Sequence, residues 1–225
     1  MLTTAVLLAL FAVAGTGLVA YTYEKTKPRI EQAERRALLN SLHSVVNPQT
    51  HNNKIFDDRI NVTSKQYLGT SQPLPVFRAR KNGEPVAAII TAIAPDGYNG
   101  DIKLLIGINY DGTLSGVRVI AHRETPGLGD GIEVRRNDWI LAFNGLSLDN
   151  PKPSEWKVKR DGGYFDQLTG ATITPRAVVK AVFKALEYYQ QNRDMLFNRP
   201  PATDRKIKLK PDQSERAQQM PQQLH

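Results

Sequence analysis

The chain has 225 residues, 40% hydrophobic and 23% charged, with 30 Lys and Arg against 22 Asp and Glu for a net charge of +8. That length suits one globular domain with appendages and falls short of two full domains, and the apolar content excludes a disordered chain. With no cysteine, a disulfide framework, thiolate metal ligation, a cysteine-held iron–sulfur cluster and a cysteine nucleophile are excluded, and four histidines argue against a multi-histidine metal or haem site.

Leu2 to Tyr23 carries no charged side chain; the first is Glu24. As a helix this run reaches about 33 Å, enough to cross a bilayer core. Tyr21 and Tyr23 close it where an interfacial aromatic belt lies. A cleaved signal peptide is the alternative, disfavoured because no Lys or Arg precedes the run, the run is long and no clean A-x-A site follows. Residues 1–23 are therefore expected to be a retained single-pass anchor. Lys25, Lys27, Arg29, Arg35 and Arg36 follow it, interleaved with acids. Taken literally, the positive-inside rule puts the body in the cytoplasm, but long domains translocate largely regardless of flanking charge.

Arg29 to Val46 reads as a helix, with Ile30, Ala33, Ala37, Leu38, Leu42 and Val45 on one face, ended by Asn47-Pro48. Residues 47–75 are polar and broken by Pro73 and Pro75, so 24–75 is expected to be a helical and irregular linker. Strands are predicted at 76–81, 86–93, 102–110 and 114–121, with turns at Asn82-Gly83 and Asp111-Gly112; an Asp-Gly pair between alternating apolar runs is a strong hairpin signal. A loop follows over Glu124 to Gly131, then a short helix near 137–143 with Trp139, Ile140 and Phe143 on one side. Residues 156–159 and 164–166 flank Arg160-Asp161-Gly162-Gly163, a second hairpin candidate. Val178, Ala181, Val182, Ala185, Leu186 and Tyr189 stripe a final helix. Beyond it, 198–225 is Pro-, Gln- and charge-rich and expected to be a disordered polar tail. Strands followed by a packed terminal helix make an α+β fold with one domain over 76–197.

Asp166 to Pro175 joins the last strand to the last helix. With Pro175 at the first helical position, Thr174 is expected at the N-cap. A helix start offers unpaired N–H groups and the positive end of the macrodipole, so a phosphate is stabilised there and a cap hydroxyl is well placed to carry a phosphoester. On local physics alone an ordinary threonine cap and a glycine turn explain the same residues.

The stretch Thr169-Gly170-Ala171-Thr172-Ile173-Thr174, preceded by Asp166, resembles the flavinylation motif of the FMN-binding domain family. In that family the final Thr or Ser carries FMN through a phosphoester bond, attached by a flavin transferase with FAD as donor. His122-Arg123-Glu124-Thr125-Pro126-Gly127-Leu128-Gly129-Asp130 is similar to the signature of the G subunits of Rnf (also called Rsx) ion-translocating electron transport complexes. Trp139, Phe143 and Asp161 to Asp166 are similar to it too, as is the layout of one span, one domain and a short tail. The resemblance covers most of residues 1–195.

The resemblance implies covalent FMN on Thr174, with redox chemistry belonging to the isoalloxazine ring. It implies a redox component of a larger complex, not an autonomous enzyme, needing no catalytic side chain and no metal. Thr172, Thr169, Gly170, Ala171 and Asp166 are implied around the phosphate, and Glu124, Thr125, Gly127, Leu128 and Gly129 along the flavin. Gly127 and Gly129 would let the backbone approach the ring closely. Implied partners are the other membrane and peripheral Rnf subunits and the flavin transferase, and the implied location is the inner membrane with the domain on the periplasmic side. The C subunit of the sodium-pumping NADH:quinone reductase shares the flavinylated domain, and a non-redox anchored binding module is the reading from another class. Nucleic-acid binding is set aside, because the basic residues are scattered among acids with no aromatic-rich basic stripe.

Overall fold

The computed structural model describes residues 2–202. Helix α1 (Leu2–Val45) runs unbroken for 44 residues, so the predicted helix from Arg29 is its distal end. Pro28 lies inside it, where the missing N–H removes one hydrogen bond without ending the helix. The helix is long and apolar enough to cross a membrane, and residues 3–30 are exposed.

Five strands follow: β1 (Arg59–Ser64), β2 (Thr70–Lys81), β3 (Glu84–Ala94), β4 (Ile102–Asn109) and β5 (Leu114–Ala121), with a one-turn helix α2 (Lys65–Leu68) between the first two. They form one antiparallel sheet in the order β1-β2-β3-β4-β5. Asn82 and Gly83 both take positive φ, 55° and 90°, as the tight β2–β3 turn requires. Helix α3 (Ile173–Asn198) lies across one face of the sheet, where Val178, Val182, Ala185, Leu186 and Tyr189 meet Ala88, Ile90, Ala92, Leu104 and Ile106. The end of α1 and the residue after it cover the other face, with Leu42, Val45 and Val46 against Phe77, Ala79, Ala87, Ile89 and Leu105. Each large aliphatic side chain buried here contributes about 1.5–3 kcal/mol. The α+β, antiparallel architecture with an apolar N-terminal helix is as the sequence predicts.

Two differences matter. Residues 59–75 are not irregular: β1 and the first half of β2 extend the sheet by an edge. β1 buries only Ile60 and Val62, too short an alternation to stand out. Thr70, Leu74 and Pro75 pair with β1 while the β3 ladder starts at Val76, so the N–H groups missing at Pro73 and Pro75 cost little pairing. The second hairpin does not form. Residues 159–161 make a single 3-10 turn, and Val158 meets Phe165 in an isolated parallel bridge. Trp156, Val158 and Phe165 are each buried instead, so the short runs serve the core rather than a ladder. Asn198 closes α3, and most of the expected tail, 203–225, lies outside the described residues.

The far end of α3 is held by arginines. Arg78 is buried and pairs with Asp58, while its Nη1 donates to the carbonyls of Leu196 (3.0 Å) and Arg199. Arg80 donates to the other Asp58 oxygen at 2.9 Å and to the Phe197 carbonyl at 2.6 Å. Helix-end carbonyls have no intrahelical donors, so these guanidinium groups supply them. Arg78→Leu leaves Asp58 short of one partner and buried carbonyls unpaired. It should destabilise the chain by about 3 kcal/mol or more, read as tryptophan fluorescence in thermal or denaturant unfolding of detergent-solubilised protein.

Candidate functional site

Three segments converge at the N-terminal end of α3: the β3–β4 loop, the loop after β5 and the entry to the helix. Glu124 joins them. One carboxylate oxygen accepts the hydroxyl proton of Thr174, and the other accepts the Asn99 N–H at 3.1 Å. Both residues are buried, Glu124 at 4% exposure and Thr174 at 1%. Asn99 also donates through Nδ2 to the Thr125 hydroxyl at 3.1 Å.

The loop after β5 is organised by its own hydrogen bonds. His122 Nδ1 accepts the Glu124 N–H at 3.0 Å, so the ring proton sits on Nε2, which meets Glu133 at 2.6 Å. His122 therefore braces the loop locally. The hydrogen bond from Arg135, opposed by burial and aided by His122, holds the Glu133 carboxyl down at about 2. Asp130 accepts the Gly127 N–H at 2.8 Å.

The two loop glycines differ. Gly127 has φ +78° and open space where a Cβ would stand, so its requirement is conformational. At Gly129 a Cβ would lie 2.8 Å from Glu124 Oε2 and 3.0 Å from Thr174 Oγ1. Close approach is thus needed at Gly129 alone, and toward the Glu124–Thr174 pair.

Helix α3 starts at Ile173, with Thr172 in the cap position and no side-chain cap hydrogen bond. The expected N-cap at Thr174 is corrected: Thr174 is the second helical residue. Proline is tolerated throughout a first turn, whose N–H groups have no intrahelical acceptors, so Pro175 does not fix the start to one residue. Thr174 still lies where those N–H groups and the positive helix end are.

A cavity of about 350 Å³ opens beside the pair. Of the sequence-predicted residues, Glu124, Thr125, Leu128, Gly129, Gly170, Ala171, Thr172 and Thr174 line it. Gly127, Thr169 and Asp166 are not among its lining. Asp166 points to Lys159 at 2.6 Å and accepts the Trp139 indole N–H through its backbone carbonyl at 2.6 Å. Trp139 and Phe143 pack with Trp156 and Phe165 in the core. Arg176 is engaged bidentately by Asp161, both contacts at 2.6 Å, and Lys180 by Asp96 at 2.6 Å. Tyr98 and Ile173 line the cavity although no sequence signal marks them for it; Tyr98 follows Gly97 in a loop that reads as an ordinary turn. A larger cleft of about 570 Å³ between α1 and β5 shares only His122 with the loop motif and has no motif hydroxyl.

Residues 97–187 match the FMN-binding domain model and residues 1–45 the RnfG N-terminal region. The G subunit of the ion-translocating oxidoreductase complex of Vibrio atlanticus is 51% identical over 193 residues, covering 86% of this chain and 92% of the relative. That of Shewanella piezotolerans is 46% identical over 200 residues, covering 89% and 94%, and that of Pseudoalteromonas atlantica 50% over 192 residues, covering 85% and 89%. The chain belongs to this G subunit family. Within it, the FMN-binding match spans every segment of the cavity, from Tyr98 to Thr174.

The residues present fit FMN: an aromatic and two aliphatic side chains for a flat ring, backbone and hydroxyls for polar edges, and a threonine hydroxyl in the first turn of a helix for a phosphate.

Two outcomes test this geometry. Gly127→Asn should be tolerated, since Asn accepts a left-handed backbone, whereas Gly129→Asn forces Glu124 and Thr174 apart and should cost about 1–3 kcal/mol by thermal unfolding. The second concerns acid. Folded protein keeps Glu133 ionised down to about pH 2, while the ordinary value is 4.5. Its stabilisation is therefore full above 4.5 and fades as pH falls toward 2. In Glu133→Gln the decline of melting temperature across that window should be shallower than in the wild type; equal slopes count against the assignment.

Proposed function

We propose that this chain is the membrane-anchored flavoprotein component of an ion-translocating electron transport complex of the Rnf type, carrying FMN on Thr174 through a phosphoester. The observation that carries the proposal is a buried threonine hydroxyl in the first turn of α3, beside a ring-sized cavity, in a segment matched as an FMN-binding domain. The relatives' shared name supports the complex, and the span-length apolar helix supports anchoring through residues 1–23.

Bound FMN supplies the electron chemistry. The chain's own residues place and shield it. The first-turn N–H groups of α3 favour the remaining negative charge of a phosphodiester by about 0.3–1 kcal/mol if exposed and up to about 2 if partly buried. Gly129 leaves room for the hydroxyl, which a Cβ there would approach to 3.0 Å, and Gly170, at φ +76°, leaves room for Leu128, which a Cβ there would approach to 2.8 Å. A flavin transferase using FAD attaches the group, and the other subunits of the complex supply and accept electrons. The domain lies on the periplasmic side of the inner membrane.

Two experiments decide it. Co-expressed with a flavin transferase, the full chain should gain one FMN by intact mass. Thr174→Ala should abolish in-gel flavin fluorescence after denaturation, Thr172→Ala should keep the label on Thr174, and Thr174→Ser should retain part of it. A flavin mapped to Thr172, or full labelling of Thr174→Ala, refutes the attachment site. For topology, a reporter active only in the cytoplasm, fused after residue 200, should stay silent in cells; strong activity refutes the periplasmic placement.

A further inference from the structure

The most exposed large apolar side chain outside α1, among the described residues, is Tyr98 at 65%. It shares the candidate cavity with Leu128 and Ile173, each 46% exposed. Exposed apolar residues scattered singly need no explanation, but three around the mouth of one cavity form a patch that a ligand would cover.

The patch is held in place. Tyr98 is followed by Asn99, which is tied by its N–H to Glu124 and by its side-chain amide to Thr125, each at 3.1 Å. It is preceded by Gly97, where a Cβ would lie 2.2 Å from the Gly100 carbonyl oxygen. Glu124 in turn accepts the Thr174 hydroxyl. Two hydrogen bonds thus separate the backbone beside Tyr98 from the Thr174 hydroxyl. Leu128 is seated over Gly170, where a Cβ would lie 2.8 Å from Leu128 Cδ2.

We propose that Tyr98, with Leu128 and Ile173, forms the surface on which the isoalloxazine ring rests when FMN is carried on Thr174, Tyr98 stacking on the ring as its positioning residue. This rests on the covalent reading above. The occupant follows from the chemistry of the patch: an aromatic ring and two branched aliphatic side chains suit a flat, largely apolar ring system. The cavity, about 350 Å³, is at the small end for ligand sites, so the ring is covered on one side and left open on the other.

The test uses the full-length, flavinylated chain in detergent, with Tyr98→Ala and Tyr98→Phe. Because Tyr98 is exposed, both variants should fold and label on Thr174 as the wild type does, checked by peptide mass. Losing an aromatic stacking partner should raise the unstacked fraction of the flavin about 2- to 10-fold. In Tyr98→Ala this reads as brighter flavin fluorescence with lower anisotropy. Tyr98→Phe keeps the ring platform and should keep the wild-type anisotropy. A labelled Tyr98→Ala protein with wild-type brightness and anisotropy overturns this inference alone. A wild type without label on Thr174 overturns the covalent reading and this inference with it.

Discussion

A sheet that is apolar on both faces cannot stand with either face in water, and the rest of the molecule follows from covering both. α3 takes one face with a continuous stripe from Val178 to Tyr189. The other is taken by the last turn of α1, and the strands make room for it. A Cβ on Gly107 would lie 2.7 Å from the Val45 carbonyl oxygen, and one on Gly116 would lie 3.2 Å from Val45 Cα. Ser115 donates to the same carbonyl at 2.6 Å, supplying a donor that the end of the helix lacks. The long apolar helix is therefore not a free tether: its last turn belongs to the core.

Covering the first face with α3 also positions the chemistry. The helix must begin near the β3–β4 turn and the exit of β5, because its stripe has to run over β3 and β4. That brings the loop carrying Glu124 against the helix start. Glu124, buried and hydrogen-bonded on both oxygens, links three segments at one point. A carboxylate in such a place is costly without partners, and here each oxygen has one. The opposite end of α3 is fixed by Arg78 and Arg80, so the helix is held at both termini by groups from the sheet side of the molecule.

How far this is legible in the sequence depends on the range of each interaction. Strands β3 to β5 and α3 carry periodic apolar patterns, and their turns contain Asn-Gly and Asp-Gly, so they are readable locally. The cap at Asn137 of the 3-10 helix Asp138–Phe143 is equally local: its side chain accepts the Trp139 N–H at 2.8 Å. The edge strand β1 is not readable, because two buried residues make no period and the prolines of β2 look like breaks. The start of α3 is hidden to within a residue because proline fits the whole first turn. The motif residues stand out by resemblance, and eight of the eleven named line the cavity. The pairing of Glu124 with Thr174 joins residues fifty apart in sequence, and no spacing rule announces it. Tyr98 escapes sequence reading for the same reason: its place at the cavity comes from Asn99 reaching across to Glu124 and Thr125.

Rigidity and exposure are divided between neighbouring residues of this site. Thr174, Glu124 and Gly129 are buried and fill one another's space, so the hydroxyl has a single environment. Leu128 and Ile173, adjacent in sequence to Gly129 and Thr174, and Tyr98, beside Asn99, are open to solvent. The boundary between the two groups follows the backbone: the Asn99 N–H and the Thr174 hydroxyl turn inward to Glu124, and the adjacent Tyr98 and Ile173 side chains face outward. Behind the loop, His122 links the Glu124 N–H to Glu133, and both His122 and Glu133 line the cleft that Ser41 and Ser44 of α1 share. From Glu133 to Thr174 each step is a hydrogen bond between named groups, and the end of α1 meets the sheet through Val45 and Ser115. A group held on Thr174 would inherit a fixed position relative to the helix that enters the domain, while its far edge stays accessible at the surface.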